Sequence, residues 1–275
     1  MRTAVVGHVE WVECALVERV PQQGEIAHSR STFQIPAGGG AVAAVQMARL
    51  TGDCTFYTAL GDDPLAERTI RGLTEMGVRV EAATRMGTST RRGFAFLDDG
   101  GERTITTIGA RLQPERADDL PWQELEDVDA VYFVAGDADA LRAARAARAV
   151  VATARISPLL ESAGVQLDAV VGSGNDASER YRPLDPEPRF VVITAGSRGG
   201  SWTALEGRTG GWQAAPLPGP AVDAYGAGDS FAAGLAIGLG SGGDVDAALD
   251  LAARCGAMCM TGRGPYERQL ASDDL

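Results

Sequence analysis

Three segments of the chain share one form: a run of consecutive apolar residues ending in a glycine-rich turn. They are "VDAVYFVAGD" at 128–137, "LDAVVGSGND" at 167–176 and "PRFVVITAGSRGG" at 188–200. A strand wet on one side alternates apolar and polar residues, whereas a strand covered on both faces does not. Longer runs at helical spacing lie between the strands, among them "GGGAVAAVQMARLTGD" at 38–53 and "ADALRAARAARAVVATA" at 138–154, each read as one helix. "CTFYTALGDDPLAERTIRGLTEMGVRV" reads strand, turn, helix, with Asp62-Asp63-Pro64 as the helix start. The final third is helical from Asp229, with a second helix over "VDAALDLAARCGAMCM". Strands alternating with helices predict an α/β fold, a mainly parallel sheet flanked by helices. One segment breaks the rhythm. "RRGFAFLDDGGERTITTIG" at 91–109 places two β-like runs around "DDGG", which predicts a hairpin and a small β appendage.

Charge and composition narrow the chemistry. The formal net charge is −12 over 275 residues, so no nucleic-acid partner is expected. No apolar run approaches the ~20 residues of a membrane span, and the N-terminal run is too short for a secretion signal, so a cytoplasmic protein is expected. All 25 basic residues are Arg and none is Lys. That excludes a P-loop lysine, a lysine Schiff base and a protein-kinase strand lysine. Any phosphate must meet Arg, backbone amides, a helix end or a metal. The four cysteines read as buried thiols, and two histidines, His8 and His28, give little to complete a zinc site.

In open α/β sheets ligands sit at the carboxyl ends of the strands, which selects three glycine-rich turns: 172–176, 194–200 and 226–229. The last is the most telling. Gly226-Ala227-Gly228 precedes Asp229 at the start of a helical run. A helix N-terminus offers unpaired N–H groups and a partial positive charge, and small residues let phosphate oxygens reach them. A carboxylate there would repel a phosphate unless it accepts the proton of a hydroxyl attacking that phosphate. Capping the helix is the structural alternative for Asp229.

"DAYGAGDSFAAGL" at 223–235 closely resembles the C-terminal signature of the ribokinase-like, or PfkB, sugar kinases. "GGGAVAAVQMARLTGD", "ALGDDPLAERTIRGLTEMGV" and "ITAGSRGG" resemble other segments of that family in the same order, and the hairpin around "DDGGERT" is similar to its β lid. The resemblance covers nearly the whole chain. It implies one ribokinase-like domain over 1–275, with a lid from about 9–35 and 88–110. It implies an ATP-dependent kinase using Mg²⁺, with a monovalent cation such as K⁺ as a further partner, and a small sugar or nucleoside as acceptor. Asp229 would be the base, and the amides of Gly226, Ala227 and Gly228 the anion hole. Thr194, Gly196, Ser197 and Gly199 would line the nucleotide, and Asp223 would serve the cation. Gly38 and Gly39 would approach the sugar. A homodimer through the lid follows by analogy.

The departures from that family shape the remaining expectations. Its Asn-x-x-Glu metal motif is replaced by "GSGNDASER", where Asp176 is the first choice for the metal-side carboxylate and Glu179 the second. The same stretch spells Gly172-x-Gly174-x-x-Ala177, a weak dinucleotide pattern without the acidic residue that should follow. The family's sugar-binding Asn is replaced at Val42 or Ala43, and its early Asp at Val12. Glu10 is the candidate for the sugar hydroxyls. Trp11 either stacks on the acceptor or packs in the lid. Arg91, Arg92 and Arg103 in the hairpin are candidates for an acceptor phosphate, with Arg92 as the representative choice. A ribose specialist is disfavoured. A catalytically silent sugar-binding sensor is the alternative from another class.

Overall fold

The buried apolar runs form the middle of a nine-stranded sheet. The computed structural model describes residues 1–100 and 103–275. In chain order its elements are β1 (Thr3–Val6), β2 (Glu10–Leu16), β3 (Ser31–Ala37), α1 (Gly39–Thr51), β4 (Cys54–Gly61), α2 (Pro64–Glu75), β5 (Arg79–Arg85), β6 (Arg92–Leu97) and β7 (Arg103–Ile108). They continue with β8 (Ala130–Phe133), α3 (Ala138–Ala144), β9 (Ala149–Thr153), α4 (Ser157–Ala163), β10 (Ala169–Ser173), β11 (Phe190–Thr194), β12 (Gly200–Ala204), β13 (Thr209–Trp212), α5 (Ala227–Gly240) and α6 (Val245–Cys259). The large sheet runs β13-β12-β11-β10-β9-β8-β1-β4-β5. It is parallel from β5 to β11 and antiparallel at the β12–β13 edge.

Adjacent residues of one strand enter opposite cores, as a pleated strand requires. Val5 and Phe56 pack on one face with Ala44 of α1 and Leu235 of α5. Their neighbours Val6 and Tyr57 pack on the other face with Leu141 and Leu160 of α3 and α4. This double covering is why the strand runs show no alternation. On α5 the glycines admit the neighbouring helix: a Cβ on Gly238 would lie 2.5 Å from the Cα of Ala248 on α6. That close approach fixes the direction of α5, and with it the position of its first turn.

The helix expected over 138–154 is corrected. α3 ends at Ala144, and Ala149–Thr153 is a central strand paired in parallel with β8 and β10. Val150, Val151 and Thr153 are β-branched and all five residues of β9 are buried, so sheet packing outweighs the alanine helix propensity of the preceding turns. The sequence reading also passed over β5 and the β12–β13 hairpin.

The second sheet, ordered β3-β2-β6-β7, stands off the large one as a lid. β6 and β7 pair antiparallel across the hairpin; Gly101 of its expected turn and Glu102 lie outside the described residues. Asp63 caps α2 by accepting from the Ala66 N–H, and its carboxylate also accepts from the backbone N–H and hydroxyl of Thr90 just before β6. All four cysteines are buried and free. Among the described residues no helix is long and apolar enough to cross a membrane.

Candidate active site

Two cavities meet at the N-terminus of α5. The first, about 450 Å³, lies between the β11–β13 edge and the α5–α6 pair. Thr194, Gly196, Ser197 and Gly199 line it, as do Trp212, Phe231 and Met260. The Trp212 and Phe231 rings stack with centroids 5.5 Å apart. The second, also about 450 Å³, lies under the lid and is lined by polar groups: Gly38 and Gly39, Glu10 with Arg91 beside it, further arginines, and Asp229. Ser173, Thr194 and Gly228 border both cavities.

The junction is built by glycine geometry. Gly226 caps α5 in the left-handed region at φ +85°, where a Cβ would lie 2.7 Å from Pro265 and 2.8 Å from Val42. At Gly228 a Cβ would meet nothing within 4 Å, so the backbone there is open to a ligand. The Ala227 N–H reaches the Ala224 carbonyl at 3.3 Å, and the Ser230 N–H bonds the Gly226 carbonyl at 2.8 Å. Between them, the N–H groups of Gly228 and Asp229 donate to no atom among the described residues. The Gly226 N–H likewise donates to no atom among the described residues, so of the expected set Gly226, Ala227 and Gly228 only Ala227 is engaged, and Asp229 adds a further free donor.

Asp229 does not cap its helix. Gly226 holds that position, and the Asp229 carboxylate makes no hydrogen bond or ion pair among the described residues. Burial and the nearby Glu179 charge push its pKa up from 3.8 to about 6, against the pull of Arg103 and Arg155. Gly39 is shaped by the same carboxylate, because a Cβ there would lie 2.8 Å from Asp229 Oδ1. An unpaired carboxylate held near neutrality beside open N–H donors is suited to taking a proton.

Asp176 and Glu179 both line the polar cavity, and Arg155 joins them. Its Nη2 donates to Asp176 Oδ2 at 2.9 Å and to Glu179 Oε1 at 2.6 Å, while its Nε reaches Glu179 Oε1 at 3.2 Å. Asp176 also accepts from the Ser178 N–H and hydroxyl. Among the described residues no group of three His, Cys, Asp or Glu could hold a metal alone. Two hard carboxylates beside a phosphate site still fit Mg²⁺, which keeps most of its waters and takes phosphate oxygens as ligands.

Strand alternation decides the lid residues. Glu10 enters the cavity, so its neighbour Trp11 points away. The Trp11 Nε1 donates to Gln34 at 3.3 Å, and Arg68 lies over its ring at 4.4 Å. Trp11 is therefore a packing residue of the lid and not an acceptor contact. Arg91 likewise faces the cavity, and Arg92, on the opposite side of the strand, is exposed and away from it. Asp223, expected at a monovalent cation, does not line the apolar cavity and lies in the loop before α5. Its carboxylate accepts from the N–H groups of Tyr225 at 2.5 Å and Gly264 at 2.7 Å, which pins the loop leading into α5.

Sequence reasoning missed His8, Arg111 and Arg155, all on the cavity wall. Burial and the charges of Arg111 and Arg91 hold His8 down to about 3, so it is neutral and forms no ion pair with Glu10 at 3.9 Å. Burial raises the Glu10 carboxyl, against the pull of Arg91. Arg91 Nη1 lies 3.1 Å from Glu10 Oε1.

The family model of the pfkB family carbohydrate kinases matches residues 2–171 and 159–271, which together span nearly the whole chain. The chain belongs to the pfkB family. It is 28% identical over 276 residues to an ATP-dependent ribose-1-phosphate kinase of Halopiger xanaduensis, covering 94% of this chain and 91% of that one. It is 30% identical over 290 residues to a fructokinase of Klebsiella pneumoniae, covering 88% and 91%. Among solved structures, the ribokinase of Arabidopsis thaliana complexed with ribose and ATP superposes with a TM-score of 0.79 at 18% identity, covering 99% of this chain and 96% of that one. The ribokinase of Thermotoga maritima gives 0.79 at 18%, covering 100% and 97%. At such identities the structures carry the fold, and the family match carries the membership.

Proposed function

We propose that this pfkB-family chain transfers the γ-phosphoryl group of ATP to a hydroxyl of a small sugar or sugar derivative held under the lid. One observation carries the reading: an unpaired Asp229 stands where an apolar cavity and a polar cavity meet, beside the free N–H groups of Gly228 and Asp229. The apolar cavity suits a purine between Trp212, Phe231 and the glycine turn at Gly196 and Gly199. The polar cavity suits a carbohydrate, with Glu10 accepting from its hydroxyls and Gly38 and Gly39 allowing close approach. Asp229 takes the proton of the attacking hydroxyl. The N–H groups at the α5 terminus meet the charge that builds on the transferring group. Asp176 and Glu179 are the residues that would hold Mg²⁺ through its waters, and bound there it would neutralise phosphate charge. A monovalent cation near this loop would meet carbonyl groups and the lone pairs that Asp223 keeps beside its two accepted hydrogen bonds. We extend the reading to a cytoplasmic enzyme of one catalytic unit, dimerising through the lid edges.

The test is ADP release with ATP and Mg²⁺ across pentoses, hexoses, sugar phosphates and nucleosides, with wild type beside Asp229→Asn. Acceptor-dependent turnover that falls at least ~10²-fold in the variant is the expected result. Sugar binding without turnover by any acceptor would instead make the chain a sugar sensor.

A further inference from the structure

Within the kinase reading, on which this inference rests, the lid wall is over-supplied with positive charge. Arg91, Arg103 and Arg111 face the acceptor-side cavity, and among the described residues Glu10 is the one carboxylate lining it beside them. Arg155 belongs to the opposite wall, where Asp176 and Glu179 already engage it. Arg91 is the most constrained of the three. Its side chain is only 12% exposed, and its Nε and Nη1 are buried without a hydrogen-bond partner. The 3.1 Å approach to Glu10 is a charge contact that misses hydrogen-bond alignment. Arg103 lies over the Tyr225 ring at 4.5 Å, and neither it nor Arg111 forms an ion pair among the described residues. A buried guanidinium with unused N–H groups is costly unless a ligand completes it.

We propose that Arg91, Arg103 and Arg111 form a subsite for a phosphate group already carried by the acceptor, so that the substrate is a sugar monophosphate and the product a bisphosphate. Three guanidinium groups against one carboxylate leave a surplus of two positive charges, which matches a phosphate dianion better than a singly charged sugar acid. The planar N–H fork of Arg fits phosphate oxygens in pairs. The crowding is visible in the neighbours. Burial and the Arg91 charge lower the Arg111 pKa, and the same field keeps His8 neutral. Neutral His8 and Glu10 then border the anion subsite on the sugar side, where hydroxyl groups need acceptors. In the kinase reading the γ-phosphoryl group meets Gly228 and Asp229, which line the same cavity. The acceptor therefore spans from the lid arginines to Asp229, with its phosphate directed away from the reacting hydroxyl.

Titration calorimetry on the protein without ATP reads this subsite apart from turnover. The probes are ribose, ribose 1-phosphate, ribose 5-phosphate, fructose, fructose 6-phosphate and gluconate. At least one sugar phosphate should bind ~100-fold or more tightly than its free sugar, and Arg111→Gln should reduce that ratio at least tenfold. Arg91→Gln should do the same. If losing the partner of Glu10 unfolds that variant, Arg103→Gln supplies the second reading, with thermal unfolding as the control. Equal binding of free and phosphorylated sugars, preference for gluconate, or an unchanged ratio in the variants would overturn the proposal. A KM rise for ATP in place of the acceptor would do so as well. Turnover of free sugars alone would refute the subsite while leaving the kinase standing. A phosphate-dependent binding ratio without ADP release would refute the kinase while leaving the subsite.

Discussion

Replacing Asp229 with Asn should make the protein more stable and nearly inactive, with both effects depending on pH. The native carboxyl has a pKa of about 6 against an ordinary 3.8, a shift of about two pH units. Each unit corresponds to ~1.4 kcal/mol, so at pH 7.5 the ionised native carboxylate destabilises the fold by up to about 3 kcal/mol. Its partial contact with solvent in the cleft brings that nearer to about 1–2 kcal/mol. The sign follows from proton counts. Between pH 3.8 and 6 the native state holds a proton that the unfolded state has lost, so stability falls as pH rises through this window. Asn cannot titrate and removes that slope. Urea unfolding from pH 4 to 8 should therefore show the variant matching wild type near pH 4 and exceeding it by about 1–2 kcal/mol above pH 7. Over the same range wild-type kcat/KM should climb through about pH 6 to a plateau, and the variant should lose ~10²–10⁴-fold. A variant less stable than wild type at pH 7.5, or a constant difference across pH, would refute the argument that the site holds a strained carboxylate.

Glu179→Gln removes a negative charge that helps raise the Asp229 pKa, so the acid limb of the kcat/KM profile should move below pH 6; an unmoved limb would mean the two groups are not coupled. Gly39→Ala puts a Cβ 2.8 Å from Asp229 Oδ1 and 3.3 Å from Val134 Cγ2, and should lower kcat at least tenfold with the fold retained, as read by steady-state kinetics and circular dichroism. Asp63→Ala loses the α2 cap and the bonds to Thr90, and should destabilise by about 2 kcal/mol in urea unfolding.

What the sequence disclosed about the site was local in origin. Gly226, Gly228 and Asp229 lie within one turn, and their positions follow from backbone rules that act over a few residues. The turns around Thr194 and Gly199 follow strands for the same reason. The lid residues show where such reasoning must be carried further. Trp11 and Arg92 were credible only while β2 and β6 were treated as patches of sequence. As strands, each can send only alternate residues inward, so choosing Glu10 excludes Trp11 and choosing Arg91 excludes Arg92. Arg111 sits outside regular structure just after the hairpin, and no local pattern places it. Arg155 was hidden by a specific misreading: with 138–154 taken as one helix, residue 155 follows a helix. With Ala149–Thr153 a central strand, Arg155 follows a strand end, where α/β sheets collect ligand-binding groups.

Arg155 also holds together the two carboxylates proposed for Mg²⁺. A carboxylate pair would serve Mg²⁺ water ligands only if both groups hold their positions, yet Asp176 caps and Glu179 ends a short 3-10 turn, Ala177–Glu179, with no buried residue. The Arg155 fork ties both carboxylates to the end of β9, a strand buried along its whole length. A lysine would hold such a pair by one rotating ammonium, whereas the planar guanidinium fixes direction as well as charge. The Glu179 charge raises the Asp229 pKa and the Arg155 charge opposes it. On the proposed reading, a chain without lysine thus divides its phosphate chemistry among Arg155 beside the proposed metal carboxylates, the α5 terminus at the transferring group and the lid arginines at the acceptor. Each of these three places is tied to a different part of the fold.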